Sequence, residues 1–141
     1  MISPAPGQLE RFVAALDPAA FYVSLDAARE ALAQRTLFNV IDLATGWKVD
    51  LIVRKDREFS RVEFDRRRPV EVGGTSVQVA TVEDVILSKL EWARLGDSRR
   101  QLEDVAELLR INGPDLDRDY LDRWIDALGV RAQWREAAAM P

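Results

Sequence analysis

Hydrophobic positions along the chain recur at two spacings. In residues 8–16, QLERFVAAL, Leu9, Phe12, Val13 and Leu16 share a helical face. Asp17-Pro18 closes that helix. Residues 21–23 read as a short strand, and Ser24 is placed to cap a helix over 25–34. LFNVIDL, 37–43, reads as a strand, ATG, 44–46, as a turn, and WKVDLIVR, 47–54, as the antiparallel return. With Leu43 opposite Trp47, the register sets Asp42 against Lys48 as a cross-strand ion pair, Val40 against Asp50 and Phe38 against Ile52. Asp50 then stands mid-strand in apolar company, where an unpartnered carboxylate is costly.

Residues 57–66 read as a short helix. PVEV-GG-TSVQVA, 69–80, reads as a second hairpin, because Gly-Gly suits a two-residue turn. Thr81 and Asp84 approximate a capping box for a helix that runs to about Leu95, where Gly96 stops it. Asp97 or Ser98 caps the next helix, which Asn112-Gly113-Pro114 ends. Two helical segments follow, at about 117–128 and 130–138. This order reads as α+β. One compact unit is expected: a core over 1–80, with a mixed sheet on the hairpins 37–54 and 69–80, and a helical region over 81–141 packed on it.

Composition narrows the chemistry. The chain has no cysteine and no histidine, which removes disulfides, thiolate sites and the commonest general base and zinc ligand. Carboxylates, Lys, Arg, Tyr and hydroxyls remain, and Mg²⁺ held by oxygens is the metal such a set favours. No apolar run approaches a membrane span and the N-terminus is not of secretory type, so a cytoplasmic protein is expected. A net charge of −4 argues against nucleic-acid binding through the whole surface. Residues 54–68 are a local exception, with seven basic and four acidic groups. They read as a solvated helix of mixed charge or as an anion-facing rim.

Three charged residues stand out. Asp50 is the first. Lys89 is the second, lying between Ile86 and Ala93 within the apolar stripe formed with Val82, Val85 and Leu90. It either snorkels out along its stem or reaches a phosphate or carboxylate in a cleft. Asp104 is the third, off the main face of Leu102, Val105, Ala106 and Leu109. It is either a surface acid or a partner for Lys89 from the neighbouring helix. The stretch GGTS, 73–76, lies between strands and so reads as a turn, not a phosphate loop. Trp92, Trp124 and Trp134 read as packing groups.

Asp50, Lys89 and Asp104, in this order, resemble the nucleotidyltransferase superfamily, and within it small bacterial proteins related to the AbiEii-like toxins. The stretches that carry the resemblance are FYVSLDAAREAL, FNVIDLATGWKVDLIV, FDRRRPVEV, TVEDVILSKLEWARLGDSRRQLEDV and LDRDYLDRWIDALGV. The resemblance implies a partial nucleotidyltransferase fold with a C-terminal helical bundle. It implies Asp50 as the third acidic, metal-binding position and Lys89 and Asp104 as the later Lys/Asp motif. Lys89 and Arg100 would then contact a nucleoside triphosphate. Glu103 stands where the related pattern often has Arg.

Such enzymes also use a Gly-Ser or Gly-Gly motif opening a helix and an Asp-x-Asp pair on a strand. Neither stands ahead of Asp50 here. One carboxylate is a poor Mg²⁺ site, so the chain is expected to be inactive in transfer unless the missing pair is supplied. A shortened or late-started reading frame, a cleaved product or a degenerate relative would each give this pattern. Two alternatives accompany this reading. One is a binding or assembly module, in which a homodimer or partner chain covers an exposed sheet edge. The other is a Mg²⁺-dependent toxin of a toxin–antitoxin pair with a mis-assigned start.

Overall fold

Caps and turns set the elements of this computed structural model, which describes residues 1–141. Contacts divide the chain into two compact units, Met1–Phe64 and Asp65–Pro141.

The first unit holds α1 (Gln8–Ala15), β1 (Phe21–Tyr22), α2 (Leu25–Gln34), β2 (Leu37–Asp42), β3 (Lys48–Ile52) and most of α3 (Glu58–Asp65). Helix α2 starts where the Ser24 hydroxyl accepts from the Ala27 N–H, which satisfies one orphan donor of the first turn. The strands form one antiparallel sheet in the order β1-β2-β3. Leu9, Ala28, Ala31, Phe38, Val40 and Val53 make its core, with Leu16, Phe21 and Leu51 packed against them.

The register of β2 against β3 differs from the sequence expectation by one residue. Phe38 pairs with Leu51, Asn39 with Asp50, Val40 with Val49 and Ile41 with Lys48. The turn is the cause. Asp42 does not pair with Lys48. Its carboxylate instead accepts from the N–H groups of Ala44 and Thr45, at 2.8 and 2.9 Å. Gly46 follows with φ 72°, and Asp42 N–H meets Trp47 O at 2.9 Å. The loop therefore spans four residues rather than three, and a one-residue slip changes the facing partner of every side chain. Phe38 and Val40 stay buried, while Asp50 lies on the opposite, exposed face.

The second unit holds β4 (Arg68–Val72), β5 (Thr75–Val79), α4 (Val82–Gly96), α5 (Arg99–Asn112), α6 (Arg118–Ala127) and α7 (Arg131–Ala138). Strands β4 and β5 form a separate two-stranded sheet, so the mixed sheet expected across both hairpins is not formed. Gly73 and Gly74, at φ 57° and 78°, supply the positive-φ pair that a tight two-residue hairpin turn requires. Helix α4 runs one residue beyond the expected Leu95. Gly96 is its last helical residue, and Asp97, at φ 47°, ends it with its N–H bonded to Ala93 O. The buried side chains include Ile86, Leu87, Leu90, Leu102, Val105, Leu121, Trp124 and Ile125. The architecture is α+β, and no helix is long and apolar enough to cross a membrane.

Candidate functional site

Lys89 leaves α4 at the edge of its buried stripe, about one turn after Ile86 and directly before Leu90, both of which are fully buried. Its ammonium reaches α5. There Nζ donates to Asp104 Oδ2 at 2.6 Å and to Gln101 Oε1 at 3.3 Å. The Lys89 side chain is 27% exposed and that of Asp104 44%, so the pair opens to solvent. The Lys89 hydrogen bond holds the Asp104 carboxyl below its usual value. The modest desolvation opposes this, and the charges of Lys89 and Arg100 reinforce it. Arg100 is exposed on the first turn of α5, one helical turn before Asp104. An ammonium has three N–H donors, and these two acceptors take two of them. The third is available for a further anion, with Arg100 close to the same carboxylate.

Asp50 belongs to the other unit. Its Oδ1 accepts from Asn39 Nδ2 at 2.5 Å and lies 3.6 Å from Lys48 Nζ. It is neither buried nor surrounded by the apolar groups that the expected register gave it. By itself this setting does not fit Mg²⁺. An ammonium already neutralises the carboxylate, and no group of three acidic side chains suited to a metal is formed anywhere in the chain. Further carboxylates would have to be brought to Asp50 to make such a site.

The basic stretch 54–68 is largely committed to the chain's own acceptors. Arg54 Nε donates to Ser3 Oγ, Arg57 Nε to Ser60 Oγ and Arg61 to Asp56. Arg66 is engaged more deeply. Its Nε meets Asp84 Oδ2 at 3.1 Å, and its guanidinium lies 3.8 Å from the Tyr120 ring centre.

That last contact belongs to a node that sequence reasoning missed. Asp84 is fully buried, and its carboxylate accepts from Arg66, from the Thr81 hydroxyl at 2.7 Å and from the Tyr120 hydroxyl at 2.5 Å. It ties the start of α4 to α6 and to the chain just after α3. Glu83 beside it accepts from the Asp117 N–H at 3.1 Å. Burial alone would raise the Glu83 pKa. Hydrogen bonds from the backbone of Asp117 and Glu83 and from the Thr81 hydroxyl, with the Arg66 charge, outweigh burial and hold it below its usual value. The signal present in the sequence was the Thr81/Asp84 pair, which fixed the cap but not the inward aim of the Asp84 carboxylate. With every oxygen satisfied, this node is a fastening rather than a reactive group.

No protein-family model, curated protein or solved structure matches the chain.

Proposed function

We propose that this chain is a nucleotidyltransferase-like protein that takes up a nucleoside triphosphate at Lys89 and, by itself, does not transfer the nucleotide. One observation carries the reading. Lys89 and Asp104, expected as a functional pair from the sequence resemblance, meet at 2.6 Å on the solvent-open side of α4 and α5. Asp104 holds the ammonium in place, Arg100 adds positive charge nearby, and the remaining Lys89 donor faces a phosphate oxygen. Nucleotidyl transfer needs Mg²⁺ to bridge phosphate oxygens and activate the incoming hydroxyl. Asp50, bonded to Asn39 and beside Lys48, is not such a site by itself, and no group of three acidic side chains forms one. This supports the absence of transfer by the chain alone.

The test is incubation of the purified chain with each of the four labelled ribonucleoside triphosphates and Mg²⁺, with bound and covalently transferred label read separately. Retained label without transfer to the chain or to added RNA is the expected result. Mg²⁺-dependent transfer by the chain alone contradicts the second half of the reading, and no retained label contradicts the first.

A further inference from the structure

Strand β3 is an edge. It pairs with β2 on one side only, and on the other side the sheet meets just the short bridge between Ile2 and Val53. At that bridge Ile2 N–H donates to Ile52 O and Arg54 N–H to Ile2 O, both at 2.8 Å. Even-numbered residues therefore aim their backbone groups outward. Odd-numbered ones aim at β2, as Trp47 O does toward Asp42 N–H. By this alternation Lys48 and Asp50 present N–H and C=O to the open edge.

Natural edges are blocked by like charges, by proline or by a covering segment. This one is different. Trp47 is 77% exposed and Val49 56%, side by side on one face of the strand. On the other face Lys48 and Asp50 are both exposed and 3.6 Å apart. The order Lys-Val-Asp is self-complementary. If a second copy of β3 is laid antiparallel about a two-fold axis through Val49, Lys48 stands opposite Asp50 of the second copy, and Asp50 opposite its Lys48. Both residues carry outward backbone groups, so each such pair exchanges N–H···O bonds and an ion pair. On the reverse face Val49 meets its own copy and Trp47 meets Leu51. A two-fold interface sets like positions near the axis against each other, and here the axial residue is an uncharged valine.

We propose that this edge is a homodimer interface, in which β3 of two copies pairs about Val49 into one continuous six-stranded sheet. Asp50 and Lys48 are then the charges that fix its register, and Trp47 supplies the apolar contact. The Ile2 bridge confines the new ladder to the few residues ahead of Ile52, so the dimer is a concentration-dependent one. The inference is independent of nucleotide binding at Lys89.

The experiment is sedimentation of the full chain over a wide concentration range, with variants K48D and D50K alone and mixed. Each variant makes the edge uniformly acidic or uniformly basic and opposes like charges. The wild type is expected to dimerise, each variant alone to weaken dimerisation by about tenfold or more, and an equimolar mixture to restore it as a heterodimer. Circular dichroism confirms that both variants are folded. A wild type that stays monomeric throughout overturns the proposal and leaves the edge to another partner or to none. A dimer insensitive to both variants overturns it, and so does a mixture of folded variants that fails to associate.

Discussion

Lys89 of α4 and Asp104 of α5 close a 2.6 Å contact between two helices, and both side chains remain partly open to water. A pair in that position contributes little to folding, because solvent screens the attraction and the long lysine side chain must be held still. Its charge arrangement is therefore separable from stability. K89Q should leave the melting temperature within a few degrees of the wild type, as read by differential scanning calorimetry. A large drop would make the pair a structural fastening.

The pH dependence follows from the direction of the carboxylate shifts. Asp104 and Glu83 are both held below their usual values in the folded chain. The unfolded state thus binds protons more readily, and stability contributed by these groups is present above the ordinary carboxylate pKa of about 4. It is lost as pH falls through the lower, folded values. Urea unfolding across acid pH should show this loss, mostly from Glu83, whose side chain is far less exposed than that of Asp104. E83Q should flatten the profile more than D104N, and an unchanged profile in E83Q would remove Glu83 from the account.

Asp84 should behave in the opposite way to Lys89. It is fully buried, and Arg66, Thr81 and Tyr120 all donate to it. Removing the carboxylate strands a partly buried guanidinium and two hydroxyls. D84A should cost about 3–5 kcal/mol. Y120F, which deletes one donor to a charged acceptor, should cost about 1.5–3 kcal/mol. Denaturant midpoints measure both, and a cost near zero for D84A would contradict the node.

Two glycines give a paired test of the turns. Gly46 has φ 72° with open space around its Cα, so G46A strains the backbone without a clash and should cost about 1–2 kcal/mol. Gly96 is helical with equally open surroundings, so G96A should stabilise by up to about 1 kcal/mol. If both changes had the same sign, the helix end would not lie at Asp97.

Local signals were legible in the sequence because they act over a few residues. Ser24 and Thr81 cap the helices they were expected to cap, α2 keeps its expected span of 25–34, and Gly73-Gly74 forms the hairpin turn. The β2–β3 register was not legible. It depended on whether the Asp42 carboxylate would face Lys48 or fold back onto Ala44 and Thr45, and that choice moved Asp50 from apolar company to an exposed edge. The Lys89–Asp104 contact was one of two options the sequence left open, since Lys89 lies within the apolar stripe of its helix and Asp104 just off that of the next, and neither spacing decides between a free surface group and a partner. The Asp84 node was not legible, because its donors Arg66 and Tyr120 come from distant parts of the chain and no local spacing reports them. For the same reason the two hairpins could each be read, but not that they would form separate sheets.

The most direct test of the central claim is a calorimetric titration of the wild type and K89Q with ATP, GTP, CTP and UTP in Mg²⁺. Saturable binding of at least one triphosphate, weakened about tenfold or more in K89Q at unchanged stability, is the predicted result. Absence of binding to the wild type, or equal binding by folded K89Q, would contradict a triphosphate site at Lys89.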